Sequence, residues 1–162
     1  MRDFKRLDTV TNHTGGAGAD SLTGGAGANT FVQNNTDGVD ASAFAGAVGT
    51  FDNGVDVVED FSDANGDVLQ IDGGLSNGDD ALINATAADD LGTADSGDQL
   101  ALQGNWAAGD GQFTIADDGT DVLVATITST DADGITDLDD AIVLVGGVAN
   151  YDAGTTIVDI PA

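Results

Sequence analysis

The sequence predicts an all-β fold, and three features of its composition support that prediction. Of the 162 residues, 24 are Gly and one is Pro, a balance typical of short strands joined by tight turns. All but one of the 29 acidic residues are Asp, the exception being Glu59, and Asp favours turns where Glu favours helices. Hydrophobic residues make up 41% of the chain and many are β-branched, so we expect a packed core and not disorder.

Short apolar runs of strand length mark the expected elements in order along the chain. They lie at residues 55–61, 67–71, 99–102, 112–116, 121–128, 141–145 and 155–160, with a weaker run at 81–83. Helix signals are limited to a turn or two near residues 41–47 and 85–91.

The charge distribution excludes several classes of function. The net charge is −26, and the three basic residues, Arg2, Lys5 and Arg6, all lie in the first six positions. Without further Lys or Arg the chain is not expected to bind nucleic acid or anionic membranes. It has no Cys and one His, so thiolate sites and multi-histidine zinc sites are excluded. No nucleophile elbow or phosphate-binding loop is present, and we expect no enzyme activity.

A nine-residue unit occurs twice in tandem, as GGAGADSLT at residues 15–23 and GGAGANTFV at residues 24–32. Glycine at positions 1, 2 and 4 permits a tight bend with carbonyls turned inward. Position 6, Asp20 or Asn29, adds a side-chain oxygen, and position 8, Leu22 or Phe31, is a large apolar residue. Alternating turns and strands of this kind predict a parallel β-roll with calcium-binding turns. The alternative is a Gly/Ala-rich linker whose period of nine is coincidental.

These units resemble the RTX (repeats-in-toxin) calcium-binding repeat. Residues 55–71, VDVVEDFSDANGDVLQI, and residues 121–147 are similar to the C-terminal domains of type I secreted proteins such as serralysin-like proteases. The resemblance implies one continuous domain with an N-terminal arm at residues 1–14, a β-roll at 15–72, and a β-sandwich-like part at 73–162 that ends in a secretion signal. It also implies export by type I secretion machinery, without an N-terminal signal peptide, from a Gram-negative-type bacterium.

The resemblance implies a set of calcium ligands as well. In that family the position-6 Asp and the carbonyls of positions 2 and 4 hold an ion, and a stacked turn completes its shell. Carried over, the ligands are Gly16, Gly18 and Asp20 in the first copy and Gly25, Gly27 and Asn29 in the second. The partner turn would fall near Gln33, with Asp37 or Asp40 contributing. Residues 36–53 look like an insertion, which would bring Asp56 back beside Gln33.

Two further clusters of acidic residues are candidate ion sites. Asp63, Asn65 and Asp67 form an Asp-x-Asn-x-Asp loop. Residues 129–140 place Asp131, Asp133, Asp137 and Asp140 at EF-hand spacing, although the final Glu and the flanking helices are missing. For each cluster the alternative is a solvated Asp-rich turn.

Three functions follow from these expectations. The first is a secreted structural protein that folds outside the cell on binding Ca²⁺ and self-assembles, through residues 1–14, into a filament, surface layer or matrix. The second is the secretion and folding module of a larger enzyme, toxin or adhesin. The third is an autonomous binding protein or glycan hydrolase.

Overall fold

Strands dominate the part of the chain that the computed structural model describes, which comprises residues 11–33, 44–51, 55–71, 99–131, 134–149 and 157–159. Within those ranges there is no α-helix, and two short 3-10 helices lie at Asp63–Asn65 and Gly147–Ala149. The predicted all-β class is confirmed.

Twelve strands lie within the described ranges, and they form two sheets. The smaller sheet has the order β1 (Thr11–Thr14), β3 (Asn29–Gln33), β7 (Val68–Ile71) and β12 (Ile157–Asp159). The larger sheet has the order β2 (Ser21–Leu22), β6 (Asp56–Val58), β11 (Gly134–Leu144), β10 (Asp121–Asp131), β8 (Gln99–Ala107), β9 (Gln112–Ile115), β5 (Val48–Thr50) and β4 (Phe44–Ala45).

The chain passes back and forth between the two sheets at its beginning. Strands β1, β3 and β7 belong to the smaller sheet, β2 and β6 belong to the larger one, and neighbours among them are parallel. Parallel neighbours need a crossover connection. Along the chain, strand β2 of the larger sheet lies between β1 and β3, and β6 of the larger sheet directly precedes β7. Later strands extend both sheets, because β11 lies parallel to β6 and β12 lies parallel to β7. The remaining pairs of the larger sheet are antiparallel.

The first core fills the space between the two sheets. Burial alternates along β3 and β7, as expected for strands with one covered face. The buried cluster joins both sheets and contains Phe31, Val58, Phe61, Leu69, Ile71, Ala101, Val122, Val124, Ile142 and Leu144. The position-8 residues of both repeat copies contribute to it, since Phe31 is fully buried and Leu22 packs against the cluster.

The second core lies on the opposite face of the larger sheet. In β10, Val122 and Val124 belong to the first core, whereas Leu123 and Ala125 belong to the second. The other members of the second core are Phe44, Phe51, Val55, Leu102, Phe113, Ile115, Leu138, Ala141 and Val143. Strand β4 comes back into contact with β11, so the antiparallel part of this sheet curls around the second core.

One predicted helix is wrong, and one predicted loop is mostly strand. Residues 44–50 form the β4–β5 hairpin instead of a helical turn, because the buried Phe44 ring packs over Gly49. Strands β10 and β11 extend to Asp131 and from Gly134, so the expected loop at residues 129–140 is mostly a hairpin. The expected helix at 85–91 and strand at 81–83 lie outside the described residues.

Nowhere in the described ranges is there a helix of the length and apolar character that crossing a membrane requires.

Close backbone packing between two glycines predicts a strong effect of one added methyl group. A Cβ on Gly119 would collide with the backbone of Gly104, whereas a Cβ on Gly109 would meet no atom within 4 Å. We expect Gly119→Ala to lower the free energy of unfolding by about 1–3 kcal/mol. Gly109→Ala is the matched control and should change it by less than about 0.5 kcal/mol. Denaturant unfolding in one calcium-containing buffer measures both, and equal stability of the two variants would contradict the packing described.

Candidate metal centre

The two repeat copies fold into turns of the same backbone shape, which we call the first turn (residues 15–20) and the second turn (residues 24–29). The φ angles at position 2 are 86° for Gly16 and 80° for Gly25. At position 4 they are 110° for Gly18 and 106° for Gly27. Such angles are readily adopted only by glycine, so the repeated glycines specify the shape of both turns.

The position-6 side chain folds back over the first glycine in both turns. A Cβ on Gly24 would lie 2.7 Å from Nδ2 of Asn29, and a Cβ on Gly15 would lie 3.1 Å from Oδ2 of Asp20. Glycine at position 1 therefore leaves room for the position-6 side chain.

A buried aspartate from a later segment stacks on each turn in the same way. The backbone N–H of Asp20 donates to Oδ1 of Asp56 at 2.9 Å, and that of Asn29 donates to Oδ1 of Asp67 at 2.8 Å. Asp56 and Asp67 are 0% and 1% exposed. The parallel pairing of β2 with β6 and of β3 with β7 brings each pair into register. The two turns therefore share backbone shape, side-chain direction and a stacked carboxylate.

The second turn is closed by a side-chain amide. Nδ2 of Asn29 donates to the carbonyl oxygen of Gly27 at 2.9 Å, to that of Gly25 at 3.5 Å, and to Oδ1 of Asp67 at 3.1 Å. Oδ1 of Asn29 accepts the hydroxyl of Thr11 at 2.5 Å. A hydrogen-bond donor therefore occupies the point on which three oxygens converge.

The first turn has a carboxylate at the equivalent position. The point that a Cβ of Gly15 would occupy lies 2.6 Å from Oδ2 of Asp56 and 3.1 Å from Oδ2 of Asp20, so the two carboxylates are close neighbours. Asp20 brings no N–H donor where Asn29 brings one. No Lys or Arg follows residue 6 in the sequence, so a basic side chain to offset the two charges must come from the first six residues or from outside the chain.

The oxygens at the first turn are of the kind that a hard cation prefers. Calcium takes carboxylate and carbonyl oxygens in irregular arrangements. The first turn offers two carboxylates, and its glycine φ angles match those of the second turn, where the carbonyls of Gly25 and Gly27 face the position-6 side chain. In the described part of the chain, no three His, Cys, Asp or Glu side chains group together as a metal site. An ion here would therefore depend on backbone carbonyls as much as on side chains.

The structure places Asp56 beside the first turn, and its expected position beside Gln33 stays a prediction. Asp56 begins β6 in the larger sheet and lies beside Asp20, whereas Gln33 ends β3 in the smaller sheet, opposite Ile71. The direct pairing of β2 with β6 produces this arrangement. Gln33 is fully buried, and neither polar atom of its side chain has a hydrogen-bond partner. The other expected contributors, Asp37 and Asp40, lie outside the described residues.

In the loop at residues 63–67, the side chains of Asn65 and Asp67 do not lie together. Asp67 is buried and accepts hydrogen bonds from Asn29 and from the backbone N–H of Ser62, at 2.9 Å for the latter. Asn65 is exposed at the end of the 3-10 helix that begins at Asp63. Asp67 therefore accepts hydrogen bonds from the second turn and from Ser62.

The cluster with EF-hand spacing is divided between two strands. Asp131 ends β10, while Asp137 and Asp140 lie in β11, and Asp137 is paired with Ser129. Asp133 lies outside the described residues. Antiparallel pairing therefore replaces the single loop that this spacing suggested.

Two carboxylates with clear structural roles were not singled out from the sequence. Asp60 accepts the backbone N–H groups of Gly24 and Gly25 at 2.8 and 2.7 Å. Asp121 accepts those of Trp106 and Gly146 at 2.7 and 2.8 Å. In a sequence with 29 acidic residues, neither carries a local signal that separates it from the others.

Comparison with known proteins identifies no relative. No family model matches the chain, and neither does any curated protein or solved structure. Inference about function therefore depends on the geometry of the two turns.

The hydrogen bonds of Asp67 predict a large loss of stability when its carboxylate is removed. Asp67→Ala would leave the backbone N–H groups of Asn29 and Ser62 and the amide of Asn29 without this acceptor. We expect a decrease of about 2–4 kcal/mol in the free energy of unfolding. Asp110→Ala, at an exposed turn, is the control and should change it by less than about 0.5 kcal/mol. Urea denaturation measures both, and a neutral Asp67→Ala would contradict the assigned bonds.

Proposed function

We propose that this chain is a calcium-binding protein of the β-roll type, secreted by a Gram-negative-type bacterium, and that Ca²⁺ at the first turn completes its fold outside the cell. The observation that supports the proposal is the difference between two otherwise matched turns. Where Asn29 supplies an N–H donor to converging oxygens, Asp20 supplies a second carboxylate beside Asp56. A cation would supply in the first turn the positive charge that the amide group supplies in the second.

The residues that would hold the ion are Asp20 and Asp56, with the carbonyls of Gly16 and Gly18. The ion would supply positive charge between two carboxylates that otherwise repel each other. Calcium fits better than magnesium, because it accepts irregular shells of 6–8 oxygens whereas magnesium demands near-octahedral geometry. Water would supply the remaining ligands.

The strand order supports a β-roll for the first part of the chain. Strands β1, β2, β3, β6 and β7 alternate between the two sheets in chain order, and their pairs β1–β3, β2–β6 and β3–β7 are parallel. Glycine-rich turns connect β1 to β2 and β2 to β3. In a β-roll, an ion at a turn connects two stacked turns of the chain. Here it would connect the turn before β2 with the start of β6.

The charge of the chain supports folding after export. A net charge of −26 opposes compaction when no cation is bound. Extracellular calcium sites have dissociation constants of roughly 10⁻⁴–10⁻³ M, so they would be empty in the cytosol and filled outside. The chain would then pass unfolded through type I secretion machinery and fold on release.

Replacing the carboxylate of the first turn by an amide tests the ion site. Asp20→Asn reproduces the chemistry of Asn29, so we expect the variant to fold with less calcium and to lose calcium-dependent stabilisation. That loss should reach about 2.7 kcal/mol at a calcium concentration one hundred times the dissociation constant. Asp118→Asn, an exposed turn residue with the same change of charge, should keep the full calcium response.

Thermal unfolding of the three proteins with CaCl₂ and with MgCl₂ at matched ionic strength measures this response. An undiminished calcium response in Asp20→Asn, or equal stabilisation of the unmodified protein by both salts, would contradict a calcium site at the first turn.

We further propose that the folded chain assembles with copies of itself into a filament, surface layer or matrix. Among the described strands, β1 and β2 each have a neighbour on one side only, and they are the first two strands of the β-roll. Open sheet edges are templates for pairing with another chain. A second candidate, the secretion and folding module of a larger protein, is consistent with the same fold and differs in requiring no assembly.

A cavity near the first turn has the size and lining to bind a basic side chain from the N-terminal arm of a second copy. The cavity has a volume of about 260 Å³ and is lined by Asp20, Glu59, Val55, Val57 and Trp106, among others. Its acidic and apolar walls complement a Lys or Arg side chain, with the stem on the apolar surface and the charge beside Glu59, since Asp20 would hold the ion. Arg2, Lys5 and Arg6 all precede β1 and are the Lys and Arg residues of this sequence, so the segment before β1 of a second copy fits this chemistry.

Removing the charge of the arm tests assembly. We expect the triple variant R2Q/K5Q/R6Q to bind calcium and fold normally but to form far fewer assemblies, because the acidic cavity loses its cationic partner. The variant R2K/R6K keeps the charge and should assemble like the unmodified protein. Light scattering with electron microscopy during a CaCl₂ titration measures assembly. A calcium-folded chain that stays monomeric in every variant would contradict self-assembly and favour the secretion module.

A further inference from the structure

We propose that the amide nitrogen of Asn29 is a built-in substitute for a cation, so that the second turn closes without metal while the first turn requires it. The role of the first turn in this inference rests on the proposed function. The role of the second turn rests on its own hydrogen bonds and is tested separately.

The amide lies where the oxygens of the turn converge. Nδ2 of Asn29 is within 3.5 Å of three oxygen atoms, the carbonyls of Gly25 and Gly27 and Oδ1 of Asp67. A divalent cation would seek the same oxygens, since carbonyl and carboxylate groups are its preferred ligands. The amide carries a partial positive charge at this point and is covalently attached, so no binding equilibrium is involved.

The acids around the second turn are likewise satisfied by the protein itself. Both oxygens of Asp60 accept backbone N–H groups, those of Gly24 and Gly25. Both oxygens of Asp67 also accept hydrogen bonds, Oδ1 from Asn29 and Oδ2 from Ser62. Several N–H bonds to a carboxylate stabilise its charged form without a counter-ion.

The network of Asn29 also links three neighbouring strands of the smaller sheet. Thr11 in β1 donates to Asn29 in β3, and Asn29 donates to Asp67 immediately before β7. Neutral and charge-assisted hydrogen bonds therefore connect β1, β3 and the start of β7 within the smaller sheet. We infer that the second turn is already ordered in calcium-free conditions and that calcium then orders the first turn.

Exchanging the amide for a carboxylate tests the substitution. Asn29→Asp places a second carboxylate beside Asp67 and removes the donor, which recreates the chemistry of the first turn. We expect this variant to bind one more Ca²⁺ than the unmodified protein, measured by calorimetric titration with CaCl₂. In EDTA it should melt several degrees lower, and calcium should restore the loss. Asn105→Asp, the same change at an exposed residue of β8, should alter neither property.

The outcomes separate this inference from the proposed function. If Asn29→Asp binds no additional calcium and melts in EDTA like Asn105→Asp, the inference is overturned, whatever Asp20→Asn does. If Asp20→Asn binds as much calcium as the unmodified protein, the site at the first turn fails, and Asn29→Asp still decides the chemistry of the second turn.

Hydrogen exchange of the unmodified protein provides a test that does not depend on whether a variant folds. In EDTA, we expect the backbone N–H groups of Gly24, Gly25 and Asn29 to exchange at least about tenfold more slowly than those of Asp20 and Val57. The last two donate to Asp56 and to the carbonyl of Asp20, and calcium should slow them. Equal exchange at both turns in EDTA would overturn the inference.

Discussion

The interaction on which the rest of this structure depends is a backbone N–H group that donates to a buried carboxylate from a distant segment. It occurs at both glycine-rich turns, where Asp20 donates to Asp56 and Asn29 donates to Asp67. It occurs again at Asp121, which accepts the N–H groups of Trp106 and Gly146. A chain with 29 acidic and three basic residues cannot neutralise most of its carboxylates by ion pairs. Burying a carboxylate is costly unless hydrogen-bond donors surround it. In these places backbone N–H groups are the donors. The same bonds hold distant strands in register.

The two turns differ in one functional group, the amide of Asn29 against the carboxylate of Asp20. The second turn has its donor in Asn29, and its network reaches three strands of the smaller sheet. The first turn brings Asp20 beside Asp56, and Asp56 begins a strand that pairs with β11 of the antiparallel part. A cation bound between those carboxylates would therefore stabilise the connection between the coiled and the antiparallel parts. Charge neutralisation at one turn would then affect both cores.

Sequence reasoning succeeded where structure is local and failed where a distant partner decides. The apolar runs that became β6, β7, β9 and β10 carry β-branched residues at strand spacing, and the turn shape follows from repeated glycines. The hairpin at residues 44–50 was missed because the packing of Phe44, not helix propensity, decides it. The EF-hand spacing at residues 129–140 was misleading, because antiparallel pairing extends both strands into the region. Asp60 and Asp121 were missed because one Asp looks like another in so acidic a chain.

The sequence by itself determined the all-β class, the two glycine-rich turns and the absence of basic residues after position 6, because these depend on composition and short-range conformational preference. The tertiary structure decided which aspartates stack on those turns. Asp56 lies beside Asp20 across 36 residues, and Asp67 lies beside Asn29 across 38, and no local rule specifies such a partner. The tertiary structure also showed that the amide of Asn29 points into the converging oxygens of its own turn. Strand register, set by burial in the core between the sheets, selects these neighbours.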